Sequence, residues 1–548
     1  MRNMLLDCLL CSTTAVEGIL SPFVIDIYPV ANVFDLFIAD SRSGLFHYHL
    51  STFLHDLKGK LKRREPRYIE THVDRRNSPL ELRNGKTPAV IISNVFVFLF
   101  SYILQGNILQ FGCLPKATPN RLSSGSWGIL AYMVQKRRQV KSIPLGEGWW
   151  GAGEKPLSED DQIYPFKVQT SDEEIEDLHE RIDRTRYADP LEDSCFQYGF
   201  NSTHLKKVVS YWRDTFDWKS STNAFSLMQD WMCTSFTCDH HTVTTRRFCL
   251  LCSFTAGLAP SMSSTEFCLL TENQDGVVFE VICPSIPGYA FSEASHKQGF
   301  NSLAAARIFL TLMERLGFSQ FYLQGGDWGS LITTNMSQMK PQCVKGLHLN
   351  MCMSNKGFKV MLSLIIGPYL PFLVGLSQED VRRLFPFFEK NVWEILKESG
   401  YFHIQATKPD TAGLAAYILE KFSTWTDNRN RDLEDGGLER KFSLDDLLTN
   451  VMIYWTTGSI VSSMRFYKEN LKGNPDNRVD AKTGIFVPTG LAAFPNELLH
   501  CPKSWAQIRY RNIQSYNYMP RGGHFAAFEE PQLLANDFVQ FVKKVEKF

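Results

Sequence analysis

The chain has 548 residues, more than one ordinary domain holds, and its 58 basic and 58 acidic residues cancel, which excludes the electrostatic footprint of a nucleic-acid binder. An apolar content of 44% suits a globular protein. Thirteen cysteines scattered over the chain do not make a disulfide framework and point to a reducing compartment. Residues 1–145 hold no enzyme motif, and their basic runs, Lys58–Arg64 and Lys136–Arg138, read as solvated faces. Within them, Ala89–Leu109 carries no charge and has about the 20 residues a membrane span needs. A buried helix or strand pair is the alternative. Basic residues on both sides, Arg83 and Lys86 before, Lys116 and Arg121 after, leave its orientation open.

From Gly146 the texture changes. Ser171 and Glu174 form a capping box that starts a helix running to about Thr185, and a second helix fits Ser202–Phe216. Further on come a strand at Val277–Cys283, a Pro/Gly loop at Pro284–Ser292 and a helix at Ser302–Leu316 ended by Gly317. A strand at Phe321–Leu323, an apolar helix from Leu331 and a strand at Cys343–Asn350 follow. Strands alternating with helices specify a parallel α/β sheet. Residues 355–480 are mostly helical, with runs at Val381–Glu398 and Gly413–Thr424, and read as a cap inserted into that pattern. Sheet texture returns with strands ending at Val487 and spanning Ile513–Tyr518, before a last helix at Pro531–Val545.

Chemistry is concentrated in Gln324-Gly-Gly-Asp-Trp-Gly-Ser330. Strand, tight glycine turn and helix, with a reactive side chain at the apex, is the nucleophile-elbow pattern. Small neighbours are required because the turn is strained and crowded. The apex residue is Asp327, and a carboxylate there can attack carbon and form an ester. As a bland alternative, Asp327 caps a helix in a glycine-rich loop. Hydrolysing an ester needs a base for water and an acid to orient it, in the chain order nucleophile, acid, histidine. Glu497 in Pro495-Asn-Glu-Leu-Leu499 and His524 in Arg521-Gly-Gly-His-Phe525 stand in that order.

From Gly146 on, apart from 225–267, the chain resembles the microsomal epoxide hydrolase family. Matching blocks are Glu147-Gly-Trp-Trp-Gly151, Pro165–Ile175, Gln324–Ser330, Leu433-Glu-Asp-Gly-Gly-Leu-Glu-Arg440, Val487-Pro-Thr-Gly490 and Arg521–Glu530. The resemblance implies an α/β-hydrolase fold with an inserted helical cap and an N-terminal lid segment. It implies an extension at 1–145, the lid at 146–220, core at 221–354 and 481–548, and the cap at 355–480. Epoxides, whether xenobiotic arene and alkene oxides or lipid epoxides, would be hydrated to trans-diols in an apolar pocket between cap and core. Asp327 would open the epoxide, and His524, oriented by Glu497, would activate water. Tyr401 and Tyr467 would protonate the epoxide oxygen, and the Trp328 N–H would supply half an oxyanion hole. Neither metal nor organic cofactor is implied. The partners would be an epoxide, water and membrane lipid, at the endoplasmic reticulum with the catalytic part facing the cytosol. Haloalkane dehalogenation uses the same Asp chemistry and is the alternative reaction, and a non-catalytic homologue is the other.

The chain departs from the family in places. The His-Gly-Trp-Pro-Gly-Ser motif that carries the second oxyanion donor is missing. At its place stands Thr255-Ala-Gly-Leu-Ala-Pro-Ser-Met-Ser-Ser-Thr265. That peptide is what codons for His-Gly-Trp-Pro-Gly-Ser-Phe-Tyr-Glu-Phe-Tyr yield when read one base late. Residues 225–267 are therefore expected to be a shifted-frame segment that costs the core a strand. Cys233, Cys238, His240, His241, Cys249 and Cys252 have a spacing open to a zinc reading, which the frame shift explains as accident. Ala290 stands where the family has glycine, which should strain its loop. The cap is also short between Thr411 and Gly413.

Overall fold

The computed structural model describes residues 142–158, 162–222, 246–255, 277–354, 357–398, 411–471 and 478–547. The chain divides into Met1–Trp127 and Gly128–Phe548, and all described residues lie in the second unit. The apolar stretch 89–109 falls outside them. No helix among the described residues is long and apolar enough to cross a membrane.

Two helices come first, α1 (Asp172–Asp183) and α2 (Ser202–Asp214). The capping box at Ser171 is formed: its hydroxyl accepts from Glu174 N, and the Glu174 carboxylate accepts from Ser171 N. The apolar faces of both helices are buried, Leu178 and Ile182 on α1 and Leu205, Val208, Val209 and Trp212 on α2. This pair docks on the later helical block, where the Phe196 N–H donates to Arg431 O at 3.0 Å and the Tyr211 hydroxyl to Asp445 at 2.8 Å.

The core follows as β1 (Arg246–Thr255), β2 (Val277–Ile282), α3 (Ser302–Arg315), β3 (Phe321–Gly326), α4 (Asp327–Met339) and β4 (Val344–Leu349). The helical block contributes α5 (Phe358–Ile366), α6 (Gln378–Leu384), α7 (Glu394–Glu398), α8 (Thr411–Thr424), α9 (Leu444–Thr457) and α10 (Ile460–Leu471). The chain then returns to the sheet with β5 (Thr489–Ala493), α11 (Lys503–Arg509), β6 (Ile513–Tyr518) and α12 (Pro531–Glu546). Six strands form one sheet, in the order β2-β1-β3-β4-β5-β6, and every pairing is parallel. All six residues of β3 are buried, as expected when helices cover both faces of a parallel sheet. Alternation along the strand divides its side chains between those faces. Tyr322 joins Leu250, Phe279 and Val281 under Phe538 and Phe541 of α12, whereas Phe321 and Leu323 pack with Ile332 and Met336 of α4.

Three expectations change. The segment expected to cost the core a strand supplies β1, which pairs with both β2 and β3. Its text, Phe248-Cys-Leu-Leu-Cys252, is apolar and rich in residues a buried strand accepts, and pairing in a parallel sheet asks little more. The helical run at Val381–Glu398 is broken, because Pro386 lacks an N–H and crowds the preceding turn. Helix α6 stops at Leu384, and a π-helical turn at Phe388–Trp393 leads into α7. The strand expected to end at Val487 instead begins at Thr489. Pro488 has no N–H for a ladder, though its carbonyl still accepts from Leu347 N at 2.9 Å. Ala290 carries the expected strain, with φ +47° in the left-handed region.

Candidate active site

Asp327 stands where β3 meets α4, at φ +46°. Few non-glycine residues adopt such a backbone, and here it turns the side chain out at the strand end. The glycines beside it are sterically required. A Cβ on Gly325 would lie 2.6 Å from Gly329 O and 2.7 Å from Thr333 Oγ1, and one on Gly326 would lie 2.8 Å from the Asn350 side-chain amide. The Ser330 hydroxyl donates to Asp327 O at 2.7 Å and ties the first turn of α4. Trp328 is buried, and its indole meets Tyr467 of α10 edge-on, with ring centroids 4.9 Å apart. Tyr467 is thus beside the elbow. Tyr401 lies outside the described residues.

Glu497 and His524 sit on the loops after β5 and β6. The two loops are stitched together: Asn496 bridges to Gly523 in parallel, and Asn496 N donates to Gly522 O at 3.1 Å. This brings His524 Nδ1 to 2.7 Å from Glu497 Oε1. A carboxylate only accepts, so the Nδ1 proton lies in that bond. His524 Nε2 is buried and has no hydrogen-bond partner among the described residues. The imidazole therefore offers a lone pair at Nε2 when neutral, oriented by a carboxylate behind it. Burial works to lower its pKa. The Glu497 charge and hydrogen bond oppose this, Asp327 and Glu529 add to them, and the pKa is pushed up to about 9.

Several residues around the histidine carry no sequence motif of their own. The His524 N–H donates to Trp425 O at 3.0 Å, and the Trp425 indole stands edge-on to the imidazole at 4.9 Å. That indole N–H donates to Glu398 Oε2 at 2.6 Å. Glu398 is buried, which would raise its pKa, but the Lys421 and Arg431 charges and the Trp425 bond hold it below the ordinary carboxylate range. Tyr454 of α9 is buried, and burial, with the Tyr417 and Asp327 charges, raises its pKa well above 10.0. The only sequence signal for this set is the density of aromatic residues in Phe422–Trp425 and Tyr454-Trp455.

No cluster of three or more His, Cys, Asp or Glu among the described residues is arranged to hold a metal ion. Cys233, Cys238, His240 and His241 lie outside those residues, and Cys249 is a half-buried strand residue whose thiol pKa is raised by burial.

Two family models match the chain, "Epoxide hydrolase N terminus" over residues 163–249 and "alpha/beta hydrolase fold" over residues 257–494. Epoxide hydrolase 1 of Oryctolagus cuniculus is 51% identical over 448 residues, covering 77% of this chain and 97% of the relative. Juvenile hormone epoxide hydrolase 1 of Ctenocephalides felis is 40% identical over 443 residues, covering 77% of this chain and 94% of that protein. Among solved structures, the juvenile hormone epoxide hydrolase of the silkworm Bombyx mori superposes with a TM-score of 0.66 at 34% identity. The match covers 74% of this chain and 99% of the silkworm protein.

Proposed function

The chain belongs to the epoxide hydrolase family of α/β-hydrolases, and on that premise we propose a two-step reaction with Asp327 as nucleophile. The Asp327 carboxylate attacks an epoxide carbon, the C–O bond breaks, and the ring oxygen, hydrogen-bonded by Tyr467 and Tyr401, takes one proton from one of them and leaves it a tyrosinate. Neutral His524 then takes a proton from water at Nε2. The hydroxide attacks the ester carbonyl, and the tetrahedral oxyanion is met by the Trp328 N–H. On collapse the oxygen of the departing trans-diol takes the proton back from His524, leaving the Asp327 acid to return its proton to the tyrosine.

The observation that carries this reading is the buried 2.7 Å contact between His524 and Glu497, in chain order after an aspartate on a strained elbow. Charge makes the two steps consecutive. The Asp327 charge helps keep His524 protonated, and ester formation removes it. The base is thus released when the ester it must hydrolyse has formed.

The apolar and aromatic surroundings, Trp328, Phe466 and Tyr467, favour an apolar epoxide. Two relatives named for juvenile hormone support lipid-like epoxides beside xenobiotic ones. The uncharged stretch Ala89–Leu109 supports attachment to a membrane with lipid as a partner, and the resemblance to the microsomal epoxide hydrolase family supports the endoplasmic reticulum and a detoxifying role. Lack of the His-Gly-Trp-Pro-Gly-Ser motif removes one oxyanion donor, a change worth about 10²–10³ in rate.

Styrene oxide is the test substrate. The expected result is the diol as product, with a styrene oxide adduct on the peptide containing Asp327 in quenched samples. Halide release from a haloalkane without diol formation would favour the dehalogenase, and a folded protein forming no adduct would be the non-catalytic homologue.

A further inference from the structure

We propose that Glu529 is a positioning residue for His524, acting on the ester-hydrolysis step alone. Glu529 ends a one-turn helix, Ala526–Glu529, that follows His524 and Phe525. Its Oε2 accepts the Gly523 N–H at 2.7 Å, and its Oε1 accepts the Phe525 N–H at 2.9 Å. One carboxylate therefore grips the backbone on both sides of His524, while the His524 N–H is held by Trp425 O at 3.0 Å. The loop has no slack on the opposite side. A Cβ on Gly523 would lie 2.6 Å from the carbonyl oxygens of both Trp425 and Thr426. The histidine backbone is thus clamped between cap carbonyls and an inward carboxylate.

Adjacent Glu530 shows that this arrangement is not generic. It forms ion pairs with Lys441 and Arg521. Both acids are 7% exposed, but Glu529 takes two peptide N–H donors instead of a cation. Burying a carboxylate in this way is costly. Burial lifts its pKa to about 8, against the pull of the two N–H donors and of the His524 charge, while the Glu497 charge pushes it further up. The charged or titratable groups facing the pair are thus Glu497 and Asp327 toward His524, with Glu530, Lys441 and Arg521 on the outer side.

This inference rests on the ester mechanism above, and the two fail differently. Alkylation by Asp327 needs no base, so a residue acting through His524 should leave it alone. In Glu529→Gln an amide NH₂ must face one of the peptide N–H groups, and the negative charge is gone. With excess enzyme and styrene oxide, we expect the Asp327 ester to form at the wild-type rate and decay about 10-fold more slowly, the cost of about one hydrogen bond. In steady state kcat and KM fall together and kcat/KM is unchanged. Above about pH 8, where Glu529 carries its charge, the rising limb of ester decay moves to lower pH, because one negative charge beside His524 is lost. Glu529→Asp keeps the charge but is too short to reach both donors. It should slow decay without moving the limb, and it carries the test if the Gln variant does not fold. Ester decay and pH profile unchanged in a folded variant would overturn the proposal, as would kcat/KM falling with kcat at constant KM. Absence of any ester in the wild-type enzyme would instead remove the mechanism on which it stands.

Discussion

Around Asp327, position is set by what cannot fit. Gly325 and Gly326 admit no side chain, and the main chain is forced to φ +46°. Around His524, position is set by partners: Glu497 on the ring, Trp425 O on the peptide, and Glu529 on the peptides to either side. The first arrangement lies in one stretch, with Asn350 of the adjacent strand end closing on Gly326, and rests on short-range repulsion. The second draws on the loops after β5 and β6 and on the end of α8, and it rests on charge and hydrogen bonds. Steric placement is insensitive to pH, whereas placement by charge also sets the basicity of the group it holds. On the proposed mechanism the nucleophile has only to be presented. The base must also change protonation state between the two steps.

That contrast can be broken from either end. Removing the nucleophile with Asp327→Ala should lower diol formation by about 10⁴-fold or more, with no adduct in intact-mass spectra. Next in size is Glu497→Gln, with a loss approaching ~10⁴-fold in kcat, since an amide can hold the wrong imidazole tautomer. Here the adduct should accumulate, whereas an equal loss in ester formation would show that the base is not confined to the second step. Gly325→Ala tests the steric half. A methyl 2.6 Å from Gly329 O forces main chain to move, at about 1–3 kcal/mol of overpacking, read from the urea midpoint.

The smallest effect is a pH dependence of stability. His524 titrates near 9 in the fold against 6.5 ordinarily, so its contribution is complete below about pH 6.5 and is lost as pH rises through about 9. Glu529, lifted to about 8 from 4.5, loses stability in the same direction, beginning above pH 4.5. Thermal midpoints should therefore fall between pH 6.5 and 9, and the fall should shrink in Glu497→Gln. A flat profile would mean that charge does not hold the histidine.

The elbow is legible because most of what shapes it lies between Gln324 and Thr333, where only glycine fits at 325, while Asn350 of the next strand end closes on Gly326. Glu497 and His524 are legible by chain order and by their turn residues, Pro495 and Gly522-Gly523. The parallel sheet follows from strands alternating with helices. The sequence by itself therefore determines the fold class, and it names Asp327, Glu497 and His524 as the proposed nucleophile and its two partners. Tertiary structure alone decides what surrounds the base. Trp425 and Glu398 look like ordinary cap residues, and Glu529 reads as one of two equivalent acids beside Glu530, until folding gives one to the peptides flanking His524 and the other to Lys441 and Arg521. It also decides that Arg246–Thr255 is a core strand between β2 and β3. A buried strand needs apolar text and free N–H groups, which many sequences supply. Short-range sterics are written in neighbouring residues, but a hydrogen bond or a strand pairing is specified only when distant segments meet.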